Sequence, residues 1–189
     1  ARMVGAWWVG VPLHALGLRI VDLRGTQGDR VSRMVSWDTF ATEDPELAKF
    51  GKDLLFQARI GHAFLATLRK DGAPRLHPIS LIISDGHLYV LIPRRSPKCA
   101  DLLRDGRYAL QSFPPPQGES EEFYVAGRAE WIRDPTSRRA VIEGVRITAT
   151  EDEILFELML DRAMYTCLEK PGTPEERPFH RKWRASRQS

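Results

Sequence analysis

The sequence has little cysteine, a small excess of positive charge and no long uninterrupted apolar run. Only two of its 189 residues are cysteines, Cys99 and Cys167, and neither stands in a C-x-x-C pair or near a histidine at metal-ligand spacing. A zinc site or a disulfide framework is therefore not expected, and this cysteine usage is typical of the reducing cytoplasm. The net charge is only +3, whereas nucleic-acid-binding proteins usually carry a denser basic face, so no nucleic-acid partner is predicted.

The apolar segment near the start, GAWWVGVPLHALGLRIV, is interrupted by Pro12 and His14, and no small-residue cleavage site follows it. Because it is too short and too broken for a membrane span, no membrane association is predicted. A more conventional sequence begins at Met34. We therefore expect residues 1–33 to form a disordered N-terminal extension and residues 34–189 to form a single domain.

Two tight hairpins are predicted after Gly61. Three segments with period-two apolar spacing are separated by the turn pairs Asp71-Gly72 and Asp85-Gly86. These segments are HAFLATL (62–68), RLHPISLIIS (75–84) and HLYVLIP (87–93). The second one contains Pro78, which cannot donate a backbone hydrogen bond, so this strand is expected at a sheet edge or with a bulge.

The remaining patterns predict short helices and further strands. Helices are expected at 44–58, at 97–105 and from Asp134-Pro135 to Gly144, and strands at 107–113, 122–134 and 154–170. No element is predicted in the proline-rich, basic tail after residue 171. About six antiparallel strands with short helices in the gaps indicate a mainly β fold, a small closed barrel.

Positive charge is concentrated where the third strand gives way to a helix. Arg94, Arg95 and Lys98 surround Ser96, the predicted N-cap residue of that helix, and Pro97 suits its first position. Unpaired backbone N–H groups and the helix dipole attract anions such as phosphate esters to such a terminus. The alternative is that these three cations are solvated surface residues, as most runs of charge are.

Residues 40 to about 185 resemble the pyridoxamine 5′-phosphate oxidase-like superfamily, a group of flavin-binding split barrels that includes deazaflavin-dependent reductases. The resemblance rests on the order and spacing of several segments. They are HAFLATLRKDGAPRLHPISLIISDGHLYVLI, S-x-K-x-x-x-L at 96–102, L-x-x-D-G-R-Y-A-L at 102–110, GRAEWI and HRKWRA. The resemblance implies a split antiparallel β-barrel that binds FMN, with the ring against the second strand and the phosphate after the third.

Carried over by position, the resemblance assigns two groups of residues to the cofactor. The ring would be lined by Arg75, Leu76, His77, Pro78 and Ser80, and the phosphate would be held by Arg94, Arg95, Ser96 and Lys98. The resemblance also implies a homodimer with the cofactor at its interface. Trp131 and Trp183 are the candidates for aromatic surface there, with core packing as the alternative reading.

The implied activity is hydride or electron transfer between the flavin ring and an unidentified small-molecule substrate. No Ser-His-Asp, paired-carboxylate or metal pattern offers a different mechanism, so the chemistry is expected to belong to the cofactor. The vitamin B6 reaction itself is not predicted, because the chain lacks the family's R-x-R-L-x-P ending and has Ser80 where a lysine closes the ring-contacting strand.

Four alternatives remain open at the level of sequence. In the first, the cofactor is the deazaflavin F420 and not FMN. In the second, the protein is a flavin-binding module without turnover. A third places an iron ligand at His180. The fourth binds nucleic acid through the basic tail residues Arg177, Arg181, Arg184 and Arg187, with Trp183 between them.

Overall fold

The computed structural model describes residues 33–57, 60–115 and 120–186. The N-terminal extension expected over residues 1–33 lies outside the described residues except for Arg33. Within the described part the helices are α1 (Trp37–Glu43), α2 (Pro45–Leu55), α3 (Pro97–Arg104) and α4 (Pro135–Val145). The strands are β1 (Gly61–Leu68), β2 (Pro74–Ser84), β3 (His87–Pro93), β4 (Arg107–Ser112), β5 (Glu122–Trp131), β6 (Glu153–Glu169) and β7 (Arg177–Arg184).

Six of the strands close into an antiparallel barrel. Their order is β3-β2-β1-β4-β5-β6, and pairing between β3 and the first part of β6 closes the ring. The 17 residues of β6 extend beyond that pairing, and the second half of β6 pairs with β7. The predicted mainly β barrel is therefore confirmed, with β7 as an additional strand.

The hydrophobic core fills the barrel and continues under the two N-terminal helices. Alternate residues of the strands point inward, among them the fully buried Leu65, Leu88 and Phe123. Helix α2 adds Leu47 and Leu55 from its apolar face. Burial of each such side chain contributes about 1.5–3 kcal/mol relative to exposure. The strands are held in place by this burial as well as by their backbone hydrogen bonds.

The turn between β2 and β3 is set by two residues in the left-handed region. Asp85 has φ of 47° and Gly86 has φ of 77°, the pattern of a two-residue type I′ hairpin turn. The carbonyl oxygen of Gly86 also accepts a 2.7 Å hydrogen bond from the backbone N–H of Asp38, which ties α1 to the turn. A Cβ at position 86 would lie 2.6 Å from the Asp38 side chain, so only glycine fits there.

The helix predicted over 44–58 is present as α2 and ends earlier, at Leu55. Helix α1, which precedes it, was not predicted. Asp44 separates the two helices and caps α2, because its side chain accepts a 3.1 Å hydrogen bond from the backbone N–H of Leu47. The aspartate before Pro45 thus ends one helix and starts the next.

Two further boundaries differ from the sequence predictions, and one strand was not predicted. Strand β5 ends at Trp131 rather than at residue 134, and α4 continues past Gly144 to Val145. Arg146, with φ of 53°, forms the left-handed cap of α4 that the sequence had assigned to glycine. Strand β7 was missed because most of its residues are exposed, so its sequence shows no apolar alternation.

Candidate functional site

The first part of β2 has a strand partner on one side only. Strand β1 pairs with residues 74–81 of β2, and Pro78 lies opposite Phe64 in that register. Strand β3 pairs with β2 only over residues 82–84. Among the described residues, the outer edge of 74–81 therefore has no strand partner, which confirms the edge position predicted for Pro78. Backbone N–H and C=O groups along such an edge are available to a flat ligand with its own donors and acceptors.

The five residues predicted to line the ring lie on two faces of this strand. Arg75 and His77 pair with Thr67 and Leu65 of β1, whose side chains are buried. The other three, Leu76, Pro78 and Ser80, are exposed on the opposite face. The unpaired edge of β2 borders both faces of the strand. A ligand that lay along this edge would therefore contact residues from both faces.

His77 has an unusual environment on the inward-facing side. Its Nε2 atom is buried and has no hydrogen-bond partner among the described residues. Desolvation lowers the pKa of His77, and the positive charges of Lys98 and Arg75 lower it further, against a smaller opposing effect of Asp101. The imidazole is therefore neutral at pH 7, with one ring nitrogen that is shielded from water and unused.

Asp101 of α3 connects this face of β2 to the helix. Its carboxylate accepts hydrogen bonds from Nε of Arg75 at 2.7 Å, from Oγ1 of Thr67 at 3.0 Å and from Arg104 at 3.2 Å. Burial disfavours the charge on Asp101, but these three donors outweigh it and hold the pKa of the carboxyl below its usual value. Asp101 was not identified from the sequence, where the one hint was its i,i+3 spacing to Arg104.

The start of α3 has the predicted N-cap geometry without the usual capping bond. Ser96 is extended, with φ of −71° and ψ of 137°, but its side chain makes no capping hydrogen bond. Pro97 has no N–H group, and no acidic residue lies in the first turn. The Ser96 hydroxyl and the partial positive charge of the terminus are thus both available to an anion.

The three predicted phosphate-binding cations do not converge on one point. Lys98 is half-buried and lies close enough to His77 to affect its pKa, whereas Arg94 and Arg95 are exposed. The Arg94 guanidinium lies 5.6 Å from the centre of the Trp131 ring, and Arg133 contacts the same ring at 4.6 Å. The structure therefore places Lys98 near His77 and Arg94 against the ring of Trp131.

Trp183 lies against the N-terminal helices. Its ring packs on Phe40 at 4.8 Å, and its Nε1 donates a 3.0 Å hydrogen bond to Glu43. These contacts are the core-packing alternative given for Trp183, and no contact in the described part of this chain connects it to β2 or α3. Its role at a subunit interface stays a prediction.

Several basic side chains of the tail are paired within the chain. Arg181 contacts Asp44 at 2.8 Å, and Arg177 contacts Glu169 at 2.8 Å. Arg187 lies outside the described residues. The pairing of Arg177 and Arg181 lowers the positive charge that the tail can offer to a nucleic acid.

Nδ1 of His180 forms a 3.0 Å hydrogen bond with Oγ1 of Thr166. No group of three or more histidine, cysteine or acidic residues in the described ranges is arranged to hold a metal ion. Across these same ranges, no helix combines the length and apolar character needed to cross a bilayer.

Comparison with known proteins gives a family match and several likenesses of fold. Residues 54–164 match the family described as pyridoxamine 5′-phosphate oxidase. No protein with a curated function matches the sequence. Among solved structures, a protein from Listeria innocua named as a candidate pyridoxamine 5′-phosphate oxidase is 14% identical, with a TM-score of 0.51 over 62% of this chain and 96% of that one.

Two other solved structures carry different names. A heme binding protein from Mycobacterium smegmatis is 16% identical, with a TM-score of 0.49, and the match covers 69% of this chain and 57% of that protein. A protein named F420 reductase is 17% identical, with a TM-score of 0.46 over 59% of this chain and 94% of that one. At 14% identity, the likeness to the Listeria innocua protein is one of fold.

Proposed function

Because the chain belongs to the pyridoxamine 5′-phosphate oxidase family, as its match over residues 54–164 shows, we propose that it is an FMN-binding oxidoreductase. In this proposal the flavin ring lies along the open edge of β2, and its phosphate lies at the start of α3. Bound there, FMN supplies hydride or electron transfer to a small-molecule substrate. The protein supplies the position of the ring and the charges around it.

The observation that carries the proposal is the buried, unpartnered Nε2 of His77 beside the open strand edge. A buried polar atom without a partner costs about 1–3 kcal/mol, and native proteins rarely keep one without a reason such as a ligand. A flavin ring has both donors and acceptors along its rim. His77 would give or accept one hydrogen bond with that rim, and the backbone of residues 75–80 would make others.

The start of α3 provides the features that a phosphate needs. The Ser96 hydroxyl makes no capping bond, and Lys98 has no ion pair within the described part of the chain. A helix N-terminus with a free hydroxyl and an ammonium group is a common site for a dianionic phosphate. Arg95 is exposed beside it and would add charge as the phosphate enters.

Arg75 has a further role besides the ring-lining one that the resemblance implies. Its Nε atom is bound to Asp101 at 2.7 Å, so part of its charge is already balanced. We infer that this ion pair holds β2 and α3 at a fixed separation, which sets the distance between the ring position and the phosphate position.

The direct test is the absorbance spectrum of the purified protein, followed by titration with FMN. Flavin bands, or quenching of FMN fluorescence with co-elution, support the proposal. Binding of F420 without binding of FMN would instead support a deazaflavin-dependent reductase. Binding of FMN without reduction by NADPH or other donors would support a flavin-binding module without turnover.

We also propose that the protein acts as a homodimer through the outer face of β1 and β2. Leu76 on this face is 62% exposed, and its cross-strand partner is Ala66. Phe64, opposite Pro78, packs edge-on against Phe113 at 4.4 Å. An apolar face next to the open strand edge would be covered by a second copy, which would also enclose the flavin ring.

A further inference from the structure

His77 lies beside a small set of charged side chains on β2 and α3. Its side chain is on the same face of β2 as that of Arg75, two residues earlier. Arg75 in turn binds Asp101 of α3 at 2.7 Å. Lys98 lies three positions before Asp101 in the same helix, so the two side chains share one helix face. This face of α3 is therefore directed toward β2 and His77.

Lys98 is the member of this set without a counter-ion. Asp101 accepts the Arg75 hydrogen bond through Oδ2 and contacts Arg104 through Oδ1. Lys98, in contrast, forms no ion pair in the described part of the chain. Of the described residues of β1, none with a titratable side chain pairs with this part of β2. The uncompensated positive charge that acts on His77 therefore comes chiefly from Lys98.

A phosphate at the start of α3 would reverse the sign of this charge. A phosphate monoester carries a charge of about −1.5 to −2 at pH 7, whereas the ammonium group of Lys98 carries +1. In the chain without a ligand, desolvation and the positive charges of Lys98 and Arg75 lower the pKa of His77. A net negative charge at the position of Lys98 would raise that pKa, because an opposite charge favours the protonated ring.

We propose that binding of FMN is coupled to the uptake of one proton from solvent by His77, whose Nε2 then donates a hydrogen bond to the rim of the flavin ring. The buried Nε2 has no other partner among the described residues. This inference rests on the proposed function, which places the phosphate at Lys98 and the ring at His77. Because a proton is taken up on binding, the affinity for FMN should fall as the pH rises. Riboflavin has no phosphate to offset Lys98 and would not produce this coupling.

The test is a pH titration of the histidine ring protons by NMR, on the full chain alone, with FMN and with riboflavin. The His77 signal is the one that His77→Gln removes. Without a ligand, its midpoint should lie below the usual histidine value of about 6.5. With FMN the midpoint should rise by at least about one pH unit, and with riboflavin it should rise by less than about half of that amount.

Lys98→Gln tests the cause of the shift in the chain without a ligand. The substitution removes the positive charge and keeps a long polar side chain, so it should raise the His77 midpoint by about half a pH unit or more. Lys52→Gln is the matched control. Lys52 is an exposed lysine on α2, and its substitution should change the midpoint by less than about 0.2 pH unit. Equal shifts in the two variants would show that Lys98 does not set the charge at His77.

The remaining outcomes separate this inference from the proposed function. A His77 midpoint that stays the same or falls when FMN binds overturns the inference and leaves FMN binding in place. Equal midpoints with FMN and with riboflavin also overturn it, because the phosphate would then have no effect on His77. Absence of FMN binding overturns the proposed function and this inference together. Unchanged thermal unfolding of each variant shows that the fold is retained.

Discussion

Asp101 of α3 accepts a 2.7 Å hydrogen bond from Nε of Arg75 on β2, and this ion pair joins the open strand edge to the helix that starts at Ser96. The Asp101 side chain is 5% exposed and that of Arg75 is 27% exposed, so the pair is largely shielded from solvent. The same carboxylate also accepts hydrogen bonds from Thr67 of β1 and Arg104 of α3. Asp101 therefore fixes the position of β2 relative to α3.

Replacing Asp101 with alanine should destabilise the protein by about 2–3 kcal/mol. The substitution leaves Arg75 as a largely buried charge without its partner, and it also leaves Thr67 and Arg104 without their acceptor. The free energy of unfolding in urea measures the effect. Asp53→Ala is the matched control, because Asp53 forms an exposed i,i+4 pair with Lys49 and should be nearly neutral. Equal losses in the two variants would contradict the role given to Asp101.

The Asp101 network should also make stability depend on pH in the acid range. Hydrogen bonds from Arg75, Thr67 and Arg104 outweigh the effect of burial and lower the pKa of Asp101 in the folded state. Its contribution is thus complete above the unfolded-state pKa of about 3.9 and is lost as the pH falls through the lower folded pKa. Between pH 6 and pH 2, the free energy of unfolding in urea should fall more steeply for the wild type than for Asp101→Asn. If the two proteins lose stability in parallel, Asp101 does not make this contribution.

His77→Leu should separate a ligand-binding role from a structural one. The substitution removes a buried nitrogen that has no partner in the chain, so the free energy of unfolding should stay the same or increase. The dissociation constant for FMN should rise about tenfold, since one buried hydrogen bond to the ring is lost. His77→Gln, which keeps a donor and an acceptor, should restore part of the affinity. Reduced stability with unchanged FMN binding would make His77 a structural residue.

Leu76→Glu should shift the protein from dimer to monomer. The side chain is 62% exposed in the single chain, and a charge placed in an apolar contact between two copies costs several kcal/mol. Light scattering after size-exclusion chromatography measures the mass. Leu103→Glu on α3 is the control, since Leu103 is also an exposed apolar side chain, at 45%, but does not lie on β1 or β2. A wild-type protein that elutes as a monomer would remove the proposed interface.

Most of the barrel could be predicted from the sequence because its signals are local. The Asp85-Gly86 pair specifies the hairpin turn by itself, and both residues adopt the positive φ values that such a turn needs. Pro78 indicated an edge strand because proline lacks the N–H group that a central strand must donate. Strand β7 could not be predicted in this way, because its order comes from pairing with β6 and not from its own apolar pattern.

The site could be predicted only in part, because its key contacts join residues that are distant in sequence. The charge at the start of α3 was visible as Arg94, Arg95 and Lys98, but the divergence of Arg94 toward Trp131 depends on where β5 ends. The bond between Arg75 and Asp101 spans 26 positions and has no local signature. Pairing of this kind follows from the barrel register and becomes visible only in the folded chain.

The measurement that bears most directly on the proposed function compares FMN and riboflavin binding to the wild type, Lys98→Glu and the control Lys52→Glu. Lys98 is half-buried beside His77 and has no ion pair in the described part of the chain, so its loss removes charge from the phosphate position without leaving an unpaired carboxylate. We expect Lys98→Glu to weaken FMN binding at least about tenfold and to leave riboflavin binding and stability nearly unchanged. Equal weakening of both ligands, or no weakening of either, would contradict phosphate binding at the start of α3.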